Sequence, residues 1–189
     1  MNKISNTIIR LLGIDKSSIN NFNDFVFLPF IMSIYSRRIR HFYLRRRMGG
    51  LGKNSFVSRN VRFRNIQNII VGEGCVINPN VLLDGRGGKL VIGNNVDIAQ
   101  ECIIWTMGHD SKTHKAKCGS VTIGDYCWIG CRAMIMPGIT IGNSSICAAN
   151  AVITRDVEPN SIYAGVPAHK ISQRNRTANY TLSFNTLFR

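Results

Sequence analysis

The side chain best placed to move a proton at neutral pH is His109, which stands between Gly108 and Asp110 in the segment WTMGHDSKTHKAKCGS, residues 105–120. Imidazole titrates near neutrality, and a positioned base accelerates abstraction of a hydroxyl proton by about 10²–10⁴-fold. Taken alone, a loop histidine reads rather as an exposed residue with no role. His114 lies five residues on and suggests a metal pair. A catalytic zinc site of three histidines with an open position needs a third ligand. Only His41 and His169 remain, both far away in sequence, so the reading is of a site without metal. Asp110 is adjacent to His109, and neighbouring side chains pair poorly; it reads as a residue that shapes the loop or touches an acceptor.

What must position His109 is a repeat. Residues 123–158 divide into six-residue phrases: IGDYCW, IGCRAM, IMPGIT, IGNSSI, CAANAV and ITRDVE. Ile123, Ile129, Ile135, Ile141, Cys147 and Ile153 recur at one position, and small or β-branched residues recur four places later. Six is neither the helical period nor simple alternation; it fits one short strand plus one tight turn. Gly93, Asn94, Asn95, Gly124, Asp125, Gly142, Asn143 and Asn150 are read as turn residues that tolerate positive φ. The pattern extends upstream through VGEGCV at Val71 and INPNVL at Ile77, with a faint copy at Val57 and Phe63. Such a chain winds as stacked coils of parallel strands, and several coils are needed to bury the apolar face. The two interruptions, 84–89 and 105–120, are where function is expected, because loops on a rigid scaffold carry it.

The 189 residues are 44% hydrophobic, which excludes disorder, and carry a net charge of +14. About half of that charge lies before residue 49: Lys3, Arg10, Lys16, Arg37, Arg38, Arg40, Arg45, Arg46 and Arg47, against Asp15 and Asp24. The apolar run FVFLPFIMSIY, 25–35, is too short to span a bilayer, which takes roughly 20 residues, and it contains Pro29. It also lacks the small-residue cleavage site of a secretory leader. Residues 25–47 therefore read in two ways: helices that close the open end of the coil, or a basic amphipathic segment in peripheral contact with an anionic membrane face. No aromatic–basic platform or DNA-binding motif accompanies the charge, so no nucleic-acid partner is expected. Cys75, Cys102 and Cys127 share a small inward position of the repeat, Cys147 takes the main apolar position, and no C-x-x-C pair occurs. They read as buried hydrophobes of a cytoplasmic protein.

Residues 71–171 resemble the hexapeptide-repeat acyltransferases, and within them the sugar O-acetyltransferases: galactoside, maltose and surface-polysaccharide acetyltransferases. The residues that carry the resemblance are GHD at 108–110, IGDYCWIGCRAMIMPGITIG at 123–142, the turn Thr154–Arg155–Asp156, and AGVPAHKI at 164–171. The resemblance implies an all-β fold, a left-handed parallel β-helix. The expected organisation is a basic, partly helical extension over 1–50, the β-helix over 51–171 with a loop insertion at 105–120, and a tail over 172–189. It implies acetyl-CoA as acyl donor, direct transfer to a saccharide hydroxyl in surface-polysaccharide synthesis, and His109 as general base. The acceptor is free, nucleotide-linked or lipid-linked.

The same resemblance assigns acceptor contacts to Asn78, Asp84, Asp110 and Trp128. Asn78 and Asp84 read equally well as turn residues, and Trp128 as a packed aromatic. Small Gly130, Ala148 and Ala149 fall where the family's backbone approaches the donor, with Thr154 and Arg155 near its nucleotide end and Pro167 closing the loop over it. Many relatives have Lys or Arg after Pro-Ala; here that residue is His169, so Lys170 takes the phosphate contact, with Arg174 and Arg176 as further candidates. A homotrimer is implied, His109 of one subunit facing the donor-binding turns of its neighbour. An amino-sugar N-acetyltransferase or serine acetyltransferase would use the same site, and a non-catalytic repeat scaffold is the alternative from another class.

Overall fold

A computed structural model of the chain describes residues 23–110, 112–174 and 182. The earlier basic residues, Arg176 and most of the apolar tail lie outside the described residues. A π-helical turn, Asn23–Phe27, leads into helix α1, Leu28–Ser33, and helix α2, Arg37–Arg47. Strands of two or three residues then follow at regular intervals, β1 at Gly50–Leu51, β2 at Phe56–Val57 and β3 at Arg62–Arg64 forming the first coil. The next coils are β4–β6 (Ile69–Val71, Val76–Ile77, Leu82–Asp84) and β7–β9 (Leu90–Ile92, Asp97–Ile98, Ile103–Ile104). A hairpin of β10, Met107–His109, and β11, Ala116–Cys118, interrupts the winding. It resumes with β12–β14 (Val121–Ile123, Trp128–Ile129, Met134–Ile135) and β15–β17 (Thr140–Ile141, Ile146–Cys147, Val152–Ile153). Strands β18, Ser161–Gly165, and β19, Ala168–Gln173, close the far end as an antiparallel pair.

The coil strands stack into three parallel sheets of five, seven and five strands (β19 adding an antiparallel edge to the second), the faces of a β-helical prism. The recurring apolar residues form three inward columns. Val71, Ile92, Ile123 and Ile141 stack on one face. Ile77, Ile98, Ile129, Cys147 and Tyr163 stack on the second. Phe63, Leu83, Ile104, Ile135 and Ile153 stack on the third. All are buried, and each large aliphatic side chain removed from water contributes about 1.5–3 kcal/mol. The faint copy at Val57 and Phe63 is thus a full first coil, starting at Gly50.

The turns correct one expectation. Of the residues read as tolerating positive φ, only Asn95 (52°) and Asn150 (59°) adopt it; Glu101 (63°), Tyr126 (59°), Arg132 (60°) and Ser144 (58°) take the equivalent place in other coils. The Gly-Asn and Gly-Asp pairs do something else. The Asn94 side chain accepts from the Glu73 amide (2.9 Å), Asp125 from the Asn94 amide (2.6 Å) and Asn143 from the Asp125 amide (3.0 Å). Each side chain satisfies a corner N–H of the preceding coil, so the pattern encodes a ladder between coils.

The inward cysteines are donors in the same accounting. Cys75 donates to the Gly93 carbonyl (3.0 Å), Cys102 to Gly130 (3.0 Å) and Cys127 to Gly142 (3.1 Å). Burial pushes the Cys102 thiol up to about 12 and that of Cys127 to about 11, so both stay protonated and inert.

Helices α1 and α2 cover the open first coil with Leu28, Met32, Leu44 and Met48. Their buried stripe also holds Arg40 and His41, 3% and 8% exposed. Arg40 Nη1 donates to the carbonyls of Ile34 (2.7 Å) and Tyr35 (2.8 Å), just past the end of α1, where orphan carbonyls and the helix dipole favour a cation. His41 Nε2 accepts the Val57 amide of the first coil at 3.3 Å. Burial, then Arg37, Arg40 and Arg45, lower its pKa to about 4.

Candidate functional site

His109 ends β10, the outgoing arm of the hairpin that leaves the prism after the third coil, and its side chain is exposed. In β10 and β11 the pairs are Met107 with Cys118, Gly108 with Lys117 and His109 with Ala116. The hairpin base is fixed: Thr106, fully buried, accepts the Gly87 amide at 3.0 Å, and its carbonyl accepts the Gly119 amide at 2.9 Å. The Lys89 amide donates to Ser120 Oγ at 3.1 Å. The two interruptions seen in the sequence, 84–89 and 105–120, are therefore bonded to each other.

His109 Nδ1 lies 3.3 Å from the His114 carbonyl, which can only accept. This contact places the ring proton on Nδ1 and leaves the Nε2 lone pair to receive another. The group that orients the imidazole is thus a backbone carbonyl, invisible to a search among side chains. It is held in turn by Asp110, whose Oδ1 accepts the amides of Thr113 (2.8 Å) and Lys112 (3.0 Å) and the Thr113 hydroxyl (3.0 Å). These bonds, that of the Thr113 amide first, hold the Asp110 carboxyl below its ordinary range. Its Oδ1 shapes the loop.

Most of the remaining expected residues divide between two edges of the prism. Asn78, Gly130, Ala148 and Ala149 lie at the turn between the second and third sheets. Asn78 donates to Asp97 Oδ1 (3.0 Å) and to the Ile98 carbonyl (2.9 Å). Gly130 is buried, and a Cβ there would stand 2.6 Å from the Ala149 nitrogen and 2.8 Å from the Ala148 carbonyl carbon. Only glycine lets coils four and five close at this edge, and the small Ala148 and Ala149 beside it leave backbone open to a ligand. Trp128 lies on the outer face of the second sheet, 47% exposed, between Asp97 and Ile146 in register. It is not a core aromatic.

The edge between the third and first sheets carries Asp84, the hairpin of His109, Thr154 and Arg155. Asp84 departs from the role expected of it: its side chain has no exposed surface and holds Arg86, by the Nε at 2.9 Å and the amide at 3.1 Å. The exposed polar group there is the Arg86 guanidinium, 5.8 Å from the Trp105 ring centroid. Thr154 and Arg155 are exposed, while Asp156 accepts the Thr140 amide at 2.8 Å. At the closing pair, Pro167 is exposed after a cis peptide, and Lys170 Nζ binds Glu158 at 2.5 Å. Arg174 donates to the carbonyls of Tyr126 and Ser144, both at 3.1 Å, so its Nη1 is committed to the fold.

Three residues of this neighbourhood were not read from the sequence. Thr106 and Arg86 sit in the interruptions and could have been noticed as polar residues there. Asp97 is an acid at an outward strand position, and burial raises its pKa against the bond from Asn78. Among the described residues, no group of three or more His, Cys, Asp or Glu is placed to hold a metal ion.

A prism of six-residue coils with one hairpin outgrowth defines a class, the hexapeptide-repeat β-helix proteins. The family model "bacterial transferase hexapeptide (six repeats)" matches residues 120–155. The chain is 34% identical to the galactoside O-acetyltransferase of Escherichia coli (strain K12) over 131 residues, 66% of this chain and 64% of that one. The match thus spans less than two thirds of that relative's length. Among solved structures it is similar to a hexapeptide-repeat acetyltransferase from Vibrio cholerae complexed with acetyl coenzyme A (TM-score 0.78, 27% identity, 87% of this chain and 92% of that one). It is also similar to a maltose O-acetyltransferase from Clostridium difficile 630 (TM-score 0.75, 28% identity, 86% and 90%). By these likenesses the chain is similar to hexapeptide-repeat transferases, and the family's own six-residue pattern is matched over residues 120–155.

Proposed function

We propose that this chain is a cytoplasmic acetyl-CoA-dependent O-acetyltransferase that acetylates a saccharide hydroxyl in the synthesis of a surface polysaccharide. The observation that carries the reading is the hairpin imidazole whose Nδ1 is fixed on a carbonyl, so that Nε2 is the basic nitrogen. Nε2 takes the proton of the acceptor hydroxyl as its oxygen attacks the thioester carbonyl, and the imidazolium returns that proton to the departing sulfur. The acetyl-CoA complex of the Vibrio cholerae relative and the saccharide names of the galactoside and maltose enzymes support donor and acceptor class.

The active form is a homotrimer. His109 and the small-residue edge Gly130–Ala148–Ala149 belong to different edges of one prism, so a groove using both takes them from two chains. The outward, half-buried column Ile103, Met134 and Val152 on the third sheet supplies an apolar face for such packing. Arg155 and Lys170 reach the nucleotide phosphates, Lys170 by exchanging Glu158 for phosphate oxygen. Trp128 and Asn78 line the acceptor side.

The test is thiol release from acetyl-CoA across free sugars, nucleotide sugars and lipid-linked oligosaccharides. His109→Ala is expected to lose about 10²–10⁴-fold in kcat while keeping its oligomeric state and its affinity for CoA. Undiminished turnover by the variant removes His109 as base. Turnover with amine acceptors alone replaces O-acetylation by N-acetylation.

A further inference from the structure

The capping helices have a second face that the fold does not use. Leu28, Ile31, Met32 and Leu44 already seal the first coil. On their other sides Phe25, Val26, Phe27, Phe30, Ile39 and Phe42 are exposed, Phe30 by 64% and Phe42 by 61%. The only other large apolar side chains this exposed among the described residues are Tyr35, also in this segment, and Trp128, Val166 and Ile171. Interspersed are exposed Arg37, Arg38, Arg45, Arg46 and Arg47, and residues 25–47 contain no Asp or Glu. The parts are joined: Phe27 meets Tyr43 edge-on at 5.6 Å, tying the π-helical turn to α2. The Arg46 and Arg64 guanidinia each stand 3.6 Å from the centroids of Phe42 and Phe25.

We propose that this end of the prism docks on an anionic lipid surface, with α1 and α2 in the plane of the interface, their aromatic rings at the headgroup–acyl boundary and their arginines on lipid phosphates. Aromatic side chains on one face flanked by arginine are the chemistry that partitions there. Arginine forks match phosphate oxygens while their stems cover apolar surface. Among the described residues, no helix is long and apolar enough to cross a membrane, so the association is peripheral. A second copy of the same face is the poorer occupant: a two-fold contact sets each patch against itself and brings arginine rows together with no acid between them. Docking at this end holds the hairpin of His109, which leaves the third coil, about 20 Å from the interface: two strand spacings of about 5 Å plus a helix diameter of about 10 Å.

The experiment measures partitioning of the full chain into mixed phosphatidylcholine–phosphatidylglycerol vesicles against pure phosphatidylcholine, at low and high salt. The expected result is binding to the anionic vesicles only, weakened by salt. Arg45→Gln/Arg46→Gln/Arg47→Gln should lower it about a hundredfold, three charges at the surface value per basic residue. Phe30→Ser/Phe42→Ser should lower it at least about tenfold through lost apolar insertion. Both variants alter exposed residues outside the candidate site, so unchanged Tm and thiol release check that they are folded. Three outcomes overturn the proposal: no partitioning of the parent chain at low salt; equal partitioning of the phenylalanine variant, which reduces the effect to adsorption of a polycation; or loss of oligomeric state in either variant, which makes the face an interface between copies.

Discussion

Acidification should loosen the cap through one side chain. His41 is 8% exposed, and its Nε2 accepts the Val57 amide, which requires that nitrogen to be unprotonated. Its pKa falls from 6.5 to about 4, chiefly by burial and then by Arg37, Arg40 and Arg45. A depressed histidine pKa means that the unfolded chain binds the proton first. The stability due to neutral His41 is therefore whole above pH 6.5 and is lost as the pH falls from 6.5 towards 4. At about pH 5 the unfolded state is favoured about thirtyfold by this group, or about 2 kcal/mol, against about 0.2 kcal/mol at pH 7. For a chain of this size that lowers Tm by roughly 4–8 °C. The comparison is His41→Gln, whose amide oxygen keeps an acceptor for Val57 and does not titrate. Thermal unfolding of both chains, followed by circular dichroism between pH 7 and pH 5, should show Tm falling more steeply in the parent. Asp97 acts in the opposite direction, because burial raises its carboxyl pKa, but it is common to both chains and cancels in the difference. Parallel Tm curves would refute the argument.

The other expectations concern the site. Gly130→Ala places a methyl 2.6 Å from the Ala149 nitrogen, a backbone atom that cannot turn aside, so the edge should spread at a cost of about 2 kcal/mol; calorimetry reads it, and KM for acetyl-CoA should rise with it. Arg86→Met leaves the buried Asp84 carboxylate with one backbone partner, at a cost of about 2 kcal/mol, while Arg86→Lys should recover part of it; urea unfolding distinguishes them. An unchanged midpoint for Arg86→Met would mean that the Asp84 pair does not stabilise the turn.

The coils were readable because the repeat is a local rule. One apolar residue per six fixes which side chain points inward, and Gly-Asn or Gly-Asp fixes the corner. The first coil was only faintly readable, because Gly50, Arg62 and Asn65–Asn68 break the phrase while backbone pairing with the second coil carries the winding through. Arg40 and His41 could not be read as buried, since their partners are carbonyls and an amide contributed by α1 and the first coil. The two readings of Asp84, acceptor contact or turn residue, could not be separated for a similar reason: a turn carboxylate is ordinarily wet, and here it is enclosed by its own loop and bonded to Arg86.

From residue types and spacing alone come the stacked coils of parallel strands, their recurring inward apolar residues and the two interruptions; His109 as base is what the family resemblance implies for one of those interruptions. Those properties repeat every six residues or lie within a single phrase, so short-range chemistry settles them. The tertiary structure decided the partner of His109, the union of the two interruptions through Thr106 and Ser120, and the separation of the expected site residues onto two edges. It also decided which side of the basic helices is buried. Each of these depends on backbone groups and faces brought together from distant parts of the chain, and spacing along a sequence does not encode such meetings.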